Sequence, residues 1–143
     1  MSDVEYIIET TDLSKSYGPH LALENLNLKI RKGATGLLGP NGAGKSTFLK
    51  TILGLIQATS GHGTVLGHDI RTEGAAIRSR IGYMPEYDAL NPDMEAIHQV
   101  KYSGELLGMN PIVAMSRAHE VLQYVGLGEQ RYRNIGSFST GMK

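Results

Sequence analysis

Polar and apolar residues alternate at the start of the chain, and the period then lengthens. Tyr6, Ile8 and Thr10 interleave with Ile7, Glu9 and Thr11, and further on Leu26, Leu28 and Ile30 interleave with polar neighbours. A period of two puts successive side chains on opposite faces of a strand, so these stretches predict two half-buried strands around a turn at Tyr17-Gly18-Pro19. Residues 35–38 read as a third strand that runs straight into a glycine-rich stretch. After it, Phe48, Leu49, Ile52, Leu53 and Ile56 recur at helical spacing, so the predicted order is strand, glycine loop, helix. Residues 64–66 and 81–84 are further short strand candidates, with a helical turn expected near residues 75–78.

From Asn91 onward the pattern is helical. Ile97, Val100, Gly104 and Leu107 form one stripe, and Met115, Ala118, Leu122 and Val125 form a second. Asn110-Pro111 supplies a cap and a first-turn proline for the second helix. The expected organisation is a mixed α/β part over residues 1–86 and an α-helical part over residues 87–143, with no repeat and no low-complexity tract.

Composition narrows the functions this pattern can serve. A chain of 143 residues that is 41% hydrophobic can bury one ordinary core. Fourteen basic and 14 acidic residues give a formal charge of +0 with no run of either sign, so no nucleic-acid partner is expected. The absence of cysteine removes disulfides and thiolate metal sites. The opening Met1-Ser2-Asp3-Val4-Glu5 is acidic, unlike an export signal. The most apolar run, residues 52–56, is far shorter than the roughly 20 residues that cross a bilayer. A role at a membrane would therefore need a partner that spans it.

The chemistry is concentrated in Gly39-Pro40-Asn41-Gly42-Ala43-Gly44-Lys45-Ser46-Thr47, which fits the pattern G-x-x-x-x-G-K-[ST]. Glycines allow close approach and backbone angles closed to other residues, so successive N–H groups can point at phosphate oxygens from a helix N-terminus. Lys45 would reach the β- and γ-phosphates, Ser46 would coordinate Mg²⁺, and Thr47 would add a hydroxyl near the α-phosphate. This chain's own residue frequencies make a chance match on the order of one in a hundred. The position between a predicted strand and an amphipathic helix is the context that the motif requires.

The run from Leu37 through Thr47 closely resembles the Walker A segment of ABC-type ATPases, and four other stretches agree with that family in order and spacing. Ser14-Lys15-Ser16-Tyr17-Gly18 resembles the segment that carries the family's adenine-stacking aromatic, which implies that role for Tyr17. Thr59-Ser60-Gly61 with Val65-Leu66-Gly67-His68-Asp69 resembles the stretch after the Walker helix and implies no chemistry. Ile81-Gly82-Tyr83-Met84-Pro85-Glu86 resembles the Q-loop segment, with Glu86 where most members have glutamine. A carboxylate there can still offer an oxygen to Mg²⁺, and the substitution is familiar in a bacterial exporter-like branch. Phe138-Ser139-Thr140-Gly141-Met142 is similar to the signature segment that faces the ATP of the opposite subunit, and it keeps the Ser139 hydroxyl and the Gly141 N–H.

The resemblance implies a P-loop NTPase core of the ABC type, with an N-terminal antiparallel β region and an inserted α-helical subdomain. It also implies ATP and Mg as cofactors, a second ATP-binding subunit, a transmembrane permease partner, and a cytoplasmic position on the inner membrane face. Transport, in the export direction, is the expected function. In this family a hydrophobic strand ending in Asp-Glu follows the signature, and then a switch histidine. These 143 residues contain neither, so part of the core sheet and the general base are expected to be missing and hydrolysis by this chain alone to be poor. An inactive nucleotide-binding fragment and a soluble ABC ATPase of translation or DNA repair are the alternatives. His20, His62, His68, His98 and His119 show no ligand spacing beyond a loose His62/His68 pair, so no histidine metal site is expected.

Overall fold

A computed structural model describes residues 6–85 and 90–143. The chain divides into two compact units, Met1–Tyr83 and Met84–Lys143. The boundary expected from sequence, between residues 86 and 87, falls outside the described residues.

The first unit is built on a four-stranded antiparallel sheet in the order β2-β1-β3-β4. β1 (Ile8–Tyr17) and β2 (His20–Ile30) form a hairpin in which Tyr17 pairs with His20 around Gly18 and Pro19. β3 (Ser60–Val65) joins the other edge of β1, and β4 (His68–Asp69) turns back onto β3. Strict alternation fails in the middle of β1, where Leu13 and Ser14 are both buried although adjacent. A register shift near Asp12, whose φ is 49°, accounts for it: the extra residue rotates the strand by one position. Asn27 fixes the bulge by accepting the Asp12 N–H at 3.0 Å and donating to Asp12 Oδ1 at 3.0 Å. Ser14 Oγ accepts the Asn25 N–H at 2.9 Å.

α1 (Lys45–Ile52) and α2 (Gly74–Arg78) supply Phe48, Ile52 and Ile77, which share a core with Leu13 and Leu23 from the hairpin, Val65 from β3, and Ile70. Burial of a large aliphatic or aromatic side chain contributes about 1.5–3 kcal/mol, so this cluster is what ties α1 to the sheet. Residues 35–38 and 81–84, expected as strands, are not strands. Extended apolar residues form a strand only with a ladder partner, and among the described residues these have none. Leu38 is 93% exposed as a result.

The second unit holds α3 (Ala96–Leu106) and α4 (Pro111–Tyr124), followed by 3-10 turns at Gly128–Tyr132 and Ile135–Ser137. Asn110 accepts the Ile112 N–H at 3.0 Å and Pro111 opens α4, as the cap pattern predicted. Ile97, Ala118 and Leu122 pack together as expected, whereas Leu107 and Val125 are exposed because each lies just past the end of its helix. Among the described residues, no helix is long and apolar enough to cross a membrane.

The turn from β4 into α2 is held by two carboxylates, Asp69 and Glu73, and Glu73 Oε2 accepts the Asp69 N–H at 2.8 Å. Asp69 Oδ1 accepts the N–H groups of Arg71 at 2.8 Å and Thr72 at 3.0 Å, together with the Thr72 hydroxyl at 3.1 Å. These bonds favour the charged form and draw the Asp69 pKa below the ordinary aspartate value. The stabilisation is therefore complete above the unfolded-state pKa and is lost as pH falls through the lower folded value. NMR titration should place the Asp69 midpoint below that of an unstructured aspartate, and Asp69→Asn should flatten the acid limb of stability.

Candidate functional site

The glycine loop leads directly into α1, and its geometry follows from two glycines with left-handed φ angles, Gly42 at 85° and Gly44 at 82°. Gly44 is the N-cap of α1, and no side chain caps this helix end. Phe48 N–H is the first to find an acceptor in the turn, Gly44 O at 2.8 Å. Helix geometry leaves the N–H groups of Lys45, Ser46 and Thr47 without an intrahelical acceptor, and the helix dipole adds partial positive charge at the same end.

Lys45 increases that charge. Its ammonium donates to Gly39 O at 2.6 Å and Pro40 O at 2.7 Å, so the side chain folds back across its own loop. Ala43 N–H closes the loop on Pro40 O at 3.2 Å. Ser46 is exposed and Thr47 half-buried in the first turn of α1. One turn further along, the buried Thr51 hydroxyl donates to Thr47 O at 2.7 Å.

A constraint that the sequence pattern did not show lies beneath the loop. A Cβ on Gly44 would sit 2.3 Å from the carbonyl oxygen of Ala22 and 3.0 Å from Leu23 Cδ2, so the loop rests on β2 with no room for a side chain. Ala22 is two residues along β2 from His20, the partner of Tyr17, a strand distance of about 7 Å. The hairpin end carrying Tyr17 is thereby brought to the loop. Tyr17 is 47% exposed, and Lys15 Nζ lies 5.0 Å from its ring centroid. The register of β1 on β2 brings Tyr17 towards the loop, and no linear motif records Ala22 as its neighbour.

Ser139 and Gly141 belong to the second unit and are both exposed in a turn after Phe138. Ser139 O accepts the N–H groups of Met142 at 3.0 Å and Lys143 at 3.3 Å. The segment leading to them is pinned by Ile135 N–H on Met94 O at 3.0 Å and Gly136 N–H on Pro92 O at 2.8 Å, with Ile135 and Phe138 buried against Ala96. Glu86, expected as a Mg²⁺ ligand, lies outside the described residues.

The family model described as ABC transporter matches residues 23–143. The chain is 39% identical over 138 residues to the linearmycin resistance ATP-binding protein of Bacillus subtilis (strain 168), covering 96% of this chain and 44% of that protein. It is 36% identical to the bacitracin transport ATP-binding protein of Bacillus licheniformis, again over 96% of this chain and 44% of the relative. The chain thus spans a little under half the length of these curated relatives. In fold it is similar to an ATP-binding cassette of an ABC transporter solved in its ADP conformation, with a TM-score of 0.77 and 24% identity, covering 96% of this chain and 60% of that one.

Two glycines of the loop should respond differently to a methyl group. Gly42→Ala meets no atom within 4 Å and should cost about 1 kcal/mol for the left-handed φ alone. Gly44→Ala adds overlap with the Ala22 carbonyl and should cost about 2–4 kcal/mol, read as a larger drop in the urea midpoint.

Proposed function

The chain belongs to the ABC transporter family, and on that premise we propose that it carries the nucleotide-holding half of an ATP-binding subunit that powers export through a separate membrane-spanning permease. The observation that carries the reading is the meeting, at one helix end, of three first-turn amides without intrahelical acceptors and the Lys45 ammonium. That donor set fits a polyphosphate: several directed N–H groups, one mobile cation and a hydroxyl on Ser46. Mg-ATP, when bound, would supply the phosphoryl group, and the protein's part would be to position it and to balance its charge.

In this reading the amides of residues 42–47 cradle the phosphates. Lys45 exchanges the carbonyls of Gly39 and Pro40 for β- and γ-phosphate oxygens, a move open to a flexible side chain whose present partners are neutral. Ser46, with Glu86, offers oxygen to Mg²⁺, and Thr47 steadies the α-phosphate. Tyr17 presents its ring to the adenine. Ser139 and Gly141 act on the ATP of a second copy, where a hydroxyl and an exposed amide can meet the γ-phosphate across a dimer interface. The names of the relatives, linearmycin resistance and bacitracin transport, support export as the direction of the coupled movement.

Isothermal titration with Mg-ATP tests the assignment directly. Lys45→Ala should weaken binding by at least about tenfold, the loss expected for a charge-assisted phosphate contact; unchanged affinity would remove Lys45 from the site. Tyr17→Ala should lower affinity by roughly 1–3 kcal/mol for ATP, with the same loss for adenosine, since stacking addresses the base.

A further inference from the structure

The far end of α1 is held as tightly as its loop end. The helix stops in a Schellman arrangement, with Gly54 N–H on Thr51 O at 3.0 Å, Leu55 N–H on Lys50 O at 2.9 Å, and Gly54 at φ 63°. Beyond it, Arg78 Nη1 donates to Leu53 O at 3.1 Å and Gly54 O at 3.2 Å, so the guanidinium of α2 holds the two cap carbonyls that directly follow α1. The two helices meet here through glycines: a Cβ on Gly54 would lie 3.0 Å from Gly74 Cα, and a Cβ on Gly74 would lie 2.9 Å from Arg78 Nη1. Ile77, the residue before Arg78, is fully buried in the core and fixes the face that α2 presents.

We propose that Arg78 is a positioning residue for the phosphate loop, acting through α1 as a stop at its C-terminal end. The inference rests on the phosphate-loop reading above. Core packing of Phe48, Thr51 and Ile52 resists sideways movement of α1, but a helix packed along one stripe can still slide or tilt along its axis. Two contacts oppose that: Gly44 against the Ala22 carbonyl at one end, and Arg78 on the Leu53 and Gly54 carbonyls at the other. α1 has eight residues, about 12 Å of rigid rod, so displacement at one end is passed to the other with little loss. All the loop amides would shift together, so every hydrogen bond they offer a phosphate would lengthen or bend at once. A cation at this end also complements the helix dipole in the sense that favours an anion at the other.

The test measures nucleotide affinity and stability separately, on the intact protein. Arg78→Ala should weaken Mg-ATP binding by about three- to tenfold under conditions where the variant is fully folded by circular dichroism. Arg78→Lys, one bond shorter but still cationic, should recover part of the loss. Gly74→Ala, which crowds the guanidinium and leaves its charge in place, should give an intermediate loss alone and no additional loss in the Arg78→Ala background. If Arg78→Ala and Gly74→Ala melt earlier yet bind Mg-ATP as tightly as the parent, Arg78 is structural only and the proposal fails. Lys45→Ala is the control: if it too binds normally, the phosphate-loop reading has failed, and that result is distinct from a failure confined to Arg78.

Discussion

A helix cannot satisfy its own first amides, and in this protein almost everything in the first unit serves to leave three of them unsatisfied at a defined place. No side chain caps α1, although capping residues commonly contribute about 1 kcal/mol to helix stability. The helix is held instead by burial of Phe48, Thr51 and Ile52 against the sheet and by the anchoring of its far end. Stability that a side-chain cap would have placed at the N-terminus is supplied from the core and from the C-terminus, and the N-terminal donors are left without a side-chain cap. The Lys45 ammonium, resting on the Gly39 and Pro40 carbonyls, is consistent with the same division.

The sheet contributes a surface to that arrangement. β2 passes under the loop so closely that only glycine fits at position 44, and the hairpin register carries Tyr17 to the same end. The bulge at Asp12 belongs to this logic, because it turns Leu13 inward to the core that α1 and α2 complete. In the second unit backbone pairing does the positioning: residues 92 and 94 hold residues 136 and 135, and the turn that follows carries Ser139 and Gly141 as exposed residues.

How much of this was legible beforehand depends on the range of the interactions. The Gly-Lys-Ser spacing and the Asn110-Pro111 cap are local, and each appears where the pattern put it, while the helical stripe after the loop stops at Ile52, short of Leu53 and Ile56, because Gly54 turns the chain at φ 63°. Residues 35–38 and 81–84 read as strands because their side chains alternate or are apolar, yet strand formation is a property of a pair, and the described residues offer them no partner. The bulge was hidden for a related reason: two buried neighbours, Leu13 and Ser14, break period two only after Asn27 and Asn25 bind across the ladder. The contacts of Ala22 with the loop and of Arg78 with α1 join residues more than 20 positions apart, and no spacing rule reaches that far.

The segment before the loop has a colloidal side as well as a structural one. Among the described residues, 35–38 have no ladder partner and leave Leu37 and Leu38 open to solvent, with no charged residue among the four to discourage another strand from adding on. Uncharged apolar segments with free backbone groups are places where one chain can pair edge to edge with another strand.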